Sequence, residues 1–147
     1  WVFVGDGRKS KWLSEKIKER KLEKIITLLG RFPTESMPFF FELADVMLVS
    51  LKDEYIFSLT VPGKIQSYMA SSKPILTMLN GAGSKVVLDA NCGFTANAGD
   101  YKELSENVIK SFALSTEALG KLGSNAFSSY KENYSKEKII NNFIKIN

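Results

Sequence analysis

The sequence predicts a doubly wound α/β fold, a parallel sheet flanked by helices, and three observations carry that reading. Short runs of apolar, β-forming residues recur along the chain. Each run ends in glycine or a polar loop, and between the runs apolar residues return at helical spacing.

Trp1-Val2-Phe3-Val4 is the first such run, a buried strand running into Gly5-Asp6-Gly7. Leu13 and Ile17 lie four residues apart in a charged stretch, which predicts an amphipathic helix over about Lys11–Arg20. Lys24–Leu29 reads as the second strand, closed by Gly30. Pro33 and Thr34 turn the chain, and Pro38 fits the first turn of a short helix through Leu43. Val46–Val49 is a continuous apolar run of the kind buried on both faces of a parallel sheet. A loop with Lys52, Asp53 and Glu54 precedes a helix from Pro62 through Ala70, with Ile65 and Met69 on one face. Pro74–Leu79 is the fourth strand, and Asn80-Gly81-Ala82-Gly83 turns into a helix carrying Val86, Val87 and Leu88. Gly93–Ala96 is a short fifth strand ending at Gly99-Asp100, and helices near Tyr101–Phe112, Thr116–Tyr130 and Lys136–Ile146 close the chain.

At 147 residues and 44% hydrophobic content the chain suits a single domain, 1–147, with a real core. The net charge of +4 is modest and concentrates in one place: eight Lys/Arg against three Glu between Arg8 and Lys24. A solvated helix face accounts for this cluster; a patch for anionic lipid or nucleic acid is the alternative, and on balance no nucleic-acid partner is expected. One cysteine, Cys92, forms no internal disulfide, which fits a reducing compartment. The absence of histidine excludes histidine triads and imidazole metal sites, so no metal and no cofactor are expected. No apolar run is long enough for a membrane span.

Ligands of open parallel sheets bind outside the carboxyl ends of the strands, where helix N-termini offer free N–H groups. Those ends carry Gly5, Gly7 and Arg8, then Gly30, Arg31 and Phe32, then Lys52-Asp53-Glu54, then Asn80-Gly81. Glycines, cations and helix starts at one rim suit a phosphate-bearing ligand, although glycine at a strand end is also ordinary turn chemistry. Neither G-x-x-x-x-G-K-[ST] nor a complete G-x-G-x-x-G is present, which disfavours a P-loop NTPase or a simple dinucleotide dehydrogenase. In Leu59-Thr60-Val61-Pro62-Gly63-Lys64, Pro62 sets a helix first turn and leaves the Thr60 and Val61 amides free. A cation at that end opposes the helix dipole, so Lys64 points to an anion shared with the amides; a solvated lysine is the alternative.

The order of these landmarks resembles the C-terminal domain of family 4 retaining glycosyltransferases of GT-B fold. The residues that carry the resemblance are Val2–Arg8, Leu29–Pro33, Ala44–Ser50, Pro62-Gly63-Lys64, Tyr68-Met69-Ala70, Lys73-Pro74-Ile75, Cys92-Gly93 and Ala98-Gly99-Asp100. The Leu-Thr-Val-Pro segment looks closest to bacterial O-antigen and capsule transferases of the N-acetylfucosamine type. The resemblance implies a Rossmann-like half that holds a nucleotide-diphosphate-sugar donor, UDP-linked, as a substrate. It places the base at Gly30, Arg31 and Phe32, and the diphosphate at the Thr60–Val61 amides and Lys64. Gly5, Gly7, Arg8, Gln66 and Ser67 complete the implied donor site. No divalent metal is implied, because cations and helix dipoles stabilise the leaving diphosphate.

Two departures stand out. Many relatives carry a pair of glutamates at the positions of Leu59 and Ser67, and neither carboxylate is here. Glu54 is the candidate catalytic replacement, against its reading as a solvated loop acid. The family's first strand and helix of this domain, with their Arg/Lys pair, would precede Trp1. The chain is therefore expected to be a fragment of a two-domain enzyme, inactive without its N-terminal acceptor-binding half. Its strands at Val2–Val4 and Val46–Val49 are then expected to share a missing neighbour and to associate into oligomers through an open edge; normal pairing of five strands is the alternative. The implied enzyme works in the cytoplasm, with room for peripheral attachment at the inner face of the membrane. A non-catalytic sugar-nucleotide-binding or assembly module of the same fold is the competing reading. A receiver-like signalling domain, which needs clustered aspartates at the first strand ends, is placed low.

Overall fold

The computed structural model describes the backbone of residues 1–146 and the side chains of 1–140 and 144. It is an α/β structure of parallel sheets and helices, divided into two compact units, Trp1–Phe40 and Phe41–Asn147.

The first unit holds β1 (Val2–Val4), α1 (Ser10–Glu19), β2 (Thr27–Gly30) and a 3-10 turn at Thr34–Ser36. β1 and β2 pair in parallel, Val2 with Thr27 and Phe3 with Leu28, and a bulge brings Val4 beside Gly30. Two expectations change here. Val2 is 62% exposed and Trp1 47%, so the first run is an exposed strand, not a buried one. Its apolar side chains have one neighbouring strand and a small unit to pack against. The second strand begins at Thr27, because the Ile25 and Ile26 amides both donate to the Leu22 carbonyl and hold Lys24–Ile26 in a turn. α1 buries one residue, Ile17, and leaves Trp12 exposed with the Lys9 ammonium over its ring.

The second unit is built on three parallel strands in the order β3 (Met47–Ser50), β4 (Ile75–Met78), β5 (Gly93–Ala96). Among the described residues β1 is hydrogen-bonded to β2 alone and β3 to β4 alone. In register, Val49 pairs with Thr77 and Thr77 with Thr95. β4 is the central strand and is buried on both faces; β3, where the sequence predicts burial on both faces, has one strand neighbour and buries Val49 alone, with Met47 and Leu48 half-buried. Ile75 and Leu79 join Val49, Ile65, Met69, Val87, Cys92 and Ala126 in one core cluster, while Leu76 is buried as its side chain alternates to the other face. Each of these large side chains contributes about 1.5–3 kcal/mol by leaving water.

α2 (Met37–Leu43) is followed by α3 (Tyr55–Ser58), a single turn where the sequence reads as loop. α4 (Gly63–Ala70) presents Ile65 and Met69 inward, as expected from their spacing. α5 (Ala82–Asp89) buries Val87 but leaves Leu88 57% exposed. α6 (Tyr101–Phe112) starts where Asp100 accepts hydrogen bonds from the Lys102 and Glu103 amides. α7 (Thr116–Asn133), capped by Ser115, runs three residues beyond the expected Tyr130, and α8 spans Lys136–Ile146.

α7 packs along α4 and rests on two helix-ending turns. The residues just past α4 and α5, Ser72 and Asn91, take left-handed backbone angles (φ 56° and 45°) that expose their carbonyls. A Cβ on Gly123 would overlap the Ser72 carbonyl oxygen, and Asn125 donates its side-chain amide to the Asn91 carbonyl at 2.8 Å.

Candidate functional site

The carboxyl ends of β1 and β2 lie at one end of the first unit's sheet, because the strands are parallel. Gly5 follows β1 with φ +133° and donates its amide to the Gly30 carbonyl at 2.7 Å; Gly30 ends β2 with φ +75°. The positive φ at both keeps the chain turning away at the rim. Gly7 accepts from the Ser10 amide and hydroxyl and so fixes the start of α1. No atom lies within 4 Å of where a Cβ would stand at Gly5, Gly7 or Gly30, so all three present bare backbone to open space. Arg8 and Arg31 are exposed, and neither has an ion-pair partner among the described residues. Phe32 is 41% exposed and held edge-on by Phe40, with ring centroids 4.9 Å apart. This unit therefore brings together Gly5, Gly7, Gly30 and their flanking Arg8, Arg31 and Phe32 as the sequence predicts.

In the second unit the central feature is the start of α4. Pro62 is not inside the first turn as expected; it is the N-cap, with φ −59° and ψ 134°. Pro62 closes the first turn by accepting from the Ile65 amide at 2.9 Å. Among the described residues the amides of Thr60, Val61, Gly63 and Lys64 have no hydrogen-bond acceptor. Gly63 and Lys64 belong to the first turn, whose amides have no intrahelical partner, and they add two donors to the pair expected from the sequence. Val61 packs against the core and anchors the loop, while Thr60, Gly63 and Lys64 are exposed. Two amides in the loop, two in the first turn of α4, and the exposed Lys64 side chain, which has no ion-pair partner among the described residues, give this rim the chemistry that suits an anion.

The other expected residues are placed less favourably. Ser67 donates its hydroxyl to the Gly63 carbonyl at 3.2 Å, and Gln66 is half-buried on the same helix. Glu54 is exposed, stands at the N-cap position of α3 without a side-chain capping bond, and lies 3.8 Å from the Lys52 ammonium. Leu59, at one of the positions where relatives carry glutamate, is 56% exposed at the end of α3. Among the described residues no group of three His, Cys, Asp or Glu is close enough to hold a metal ion.

The sequence reading missed a polar frame at this rim. Asn80, just past β4, donates its amide to Asp53 at 2.9 Å and accepts from the Ala98 amide at 3.0 Å. Gly81 adopts φ 78° and ψ −139°, and a Cβ there would overlap the Ser58 carbonyl. Asp53, Asn80, Ser84, Asn97 and Glu103 line a cavity of about 450 Å³ beside the frame. The Asn-Gly pair read as ordinary turn chemistry, and nothing local marks its partners.

Away from this rim, burial raises the Tyr68 phenol above its ordinary pKa and pushes the Cys92 thiol up to about 11. Both groups lie in or against the core cluster. No helix among the described residues is long and apolar enough to cross a membrane.

Residues 1–113 match the family model described as "Glycosyl transferases group 1". The chain is 29% identical over 144 residues to a protein named probable glycosyltransferase WbjE from Pseudomonas aeruginosa, covering 94% of this chain and 35% of that protein. Among solved structures it is similar to a variant of S. aureus TarM crystallised with fondaparinux, α-GlcNAc-glycerol and UDP, at TM-score 0.81 and 17% identity over 98% of this chain and 28% of that one. It is likewise similar to Anabaena HepE crystallised with UDP-glucose, at TM-score 0.79 and 20% identity over 99% of this chain and 39% of that one. At these identities the structures establish the fold. The chain spans about a third of the length of the relatives it matches.

Proposed function

The chain belongs to the group 1 glycosyl transferases, and from that premise we propose that it is the donor-binding part of a two-domain GT-B enzyme of family 4. That enzyme transfers a hexosyl or aminohexosyl unit from a UDP-sugar, with retention, to a glycan or lipid-linked glycan. The observation that carries the reading is the row of four unpartnered amides with Lys64 at the start of α4. A nucleoside diphosphate is the anion that such a surface suits in this family, and the relatives crystallised with UDP or UDP-glucose support the choice. In the first unit Gly30, Arg31 and Phe32 receive the base, and Gly5, Gly7 and Arg8 offer backbone and charge. In the second, Thr60, Val61 and Lys64 receive the diphosphate, with Gln66 and Ser67 one turn further along α4.

During transfer negative charge builds on the departing diphosphate. Fixed N–H dipoles and a cation stabilise it without reorganising, which accounts for leaving-group departure with no metal. Ser67 bears a hydroxyl where relatives carry a carboxylate, so its hold on a ribose hydroxyl is weaker and neutral. The acceptor-binding half, the first strand of this domain with its Arg/Lys pair, and a working place on the cytoplasmic face of a membrane belong to the same proposal. So does an O-antigen or capsule product with N-acetylfucosamine-type specificity, a reading that rests on the Leu59-Thr60-Val61-Pro62 segment. Loss of both glutamates favours one rival, a module that binds the sugar nucleotide without transferring it.

Lys64→Ala in the full-length protein tests the reading. UDP binding should weaken by about 1.5–3 kcal/mol, the range of a charge-assisted hydrogen bond, while the unfolding midpoint stays put, since Lys64 is exposed. Equal UDP affinity in calorimetric titrations of the two proteins rejects the diphosphate assignment. Tight UDP binding with no sugar transfer to any acceptor selects the rival.

A further inference from the structure

Asn80 holds together the three loops that leave the carboxyl ends of β3, β4 and β5. It stands directly after Leu79, which is buried at the end of β4. Its Nδ2 donates to Asp53 Oδ1, in the loop after β3, at 2.9 Å. Its Oδ1 accepts from the amide of Ala98, in the turn after β5, at 3.0 Å. The next residue, Gly81, lies with its Cα against the Ser58 carbonyl in a backbone conformation that is close to glycine-only. The single turn of α3 is thus held near both ends, by Asp53 two residues before its start and by Ser58 at its last residue. Only Leu59 then separates Ser58 from the row of free amides that begins at Thr60. A short α3 with no buried residue cannot fix that position by its own packing.

We propose that Asn80 is a positioning residue for the donor diphosphate: through Asp53 and Gly81 it sets where α3 ends, and so where the Thr60–Lys64 amides stand. The proposal rests on the reading of those amides as the diphosphate site. Hydrogen-bond donors aimed at a charged group lose effect steeply when displaced by about 1 Å, by roughly a hundredfold at the extreme. Its influence on the amides passes through the loops it ties.

The experiment uses the full-length protein and UDP as probe, at a temperature where every variant is fully folded by circular dichroism. Asn80→Asp sets a carboxylate against Asp53 and should weaken UDP binding roughly tenfold. Adding Asp53→Asn in the same chain restores the wild-type net charge and reverses the hydrogen bond, with the amide now donating from position 53. The acceptor for the Ala98 amide is kept throughout. The double variant should recover UDP affinity to within about threefold, a rescue that mere loosening of the fold does not produce. A folded Asn80→Asp protein that binds UDP like the wild type overturns the proposal, and so does a double variant as weak as the single one. If Asn80→Asp does not fold, Asn80→Ser supplies the comparison, since it cannot reach both partners and adds no charge; unchanged UDP affinity in it overturns the proposal too. Failure of the unmodified protein to bind UDP overturns this proposal and the donor-site reading together.

Discussion

Thr77→Val should make the protein more stable, and the size of the gain follows from where the hydroxyl lies. Thr77 is fully buried in β4, between Val49 on one side and Thr95 on the other. Its Oγ1 has no hydrogen-bond partner among the described residues. In the unfolded chain that hydroxyl is bonded to water, so folding strips it without replacement, at a cost of about 1–3 kcal/mol. Valine has nearly the same shape, and the β-branch suits a strand. The expected gain is therefore about 1–2 kcal/mol, or roughly 3 °C of melting temperature per kcal/mol at this chain length. Thr77→Ser is the control: it keeps the stranded hydroxyl and removes a packed methyl, and should lose about 1 kcal/mol. Urea unfolding followed by far-ultraviolet circular dichroism is the assay. Tryptophan fluorescence is unsuitable, because both tryptophans, Trp1 and Trp12, belong to the first unit. A Thr77→Val protein less stable than wild type refutes the reasoning, for the hydroxyl must then have a partner that valine cannot satisfy.

Two glycines should respond in opposite directions to alanine. A methyl on Gly93 runs into the Ile75 carbonyl and must part β4 from β5, costing about 3 kcal/mol, whereas Gly120 in α7 has nothing within 4 Å and should gain about 0.5–1 kcal/mol; equal midpoints in urea would falsify the close approach. The lone thiol should be silent in the native protein. Cys92 is fully buried and its thiolate is disfavoured up to about pH 11, so at pH 8 a disulfide reagent should label it only as fast as the second unit opens; stoichiometric labelling within seconds in native buffer contradicts this.

Much of this architecture was legible because local and global signals agree. α4 announces its inner face through the spacing of Ile65 and Met69, and the β-forming run Pro74–Leu79 contains the whole of β4. Other elements depend on information that no short stretch contains. The exposure of β1 is decided by how many strands flank it, not by Val2-Phe3-Val4. α3 is one turn with no periodicity to detect, and the chain offers no cap side chain at Glu54 to mark it. At the candidate site the sequence pointed to Thr60, Val61 and Lys64, since proline followed by lysine at a helix start has a direct electrostatic meaning. It placed Pro62 one residue too far into the helix, and it did not count the Gly63 and Lys64 amides among the free donors. Asn80 was invisible as more than a turn residue: its partners are 27 and 18 residues away, and only the folded sheet brings them together.

The seating of α7 on the turns after α4 and α5 carries a consequence for the order of assembly. The docking surface for Gly123 and Asn125 consists of the Ser72 and Asn91 carbonyls, which point outward only once both helices have ended in their left-handed turns. If α7 docks only after those turns have formed, it joins a sheet whose βα units already exist. Contacts made after the rate-limiting step leave the folding rate alone and set the unfolding rate. In that case substitutions at Gly123 or Asn125, which meet the turns before β4 and β5, change the unfolding rate of the second unit and leave its folding rate alone.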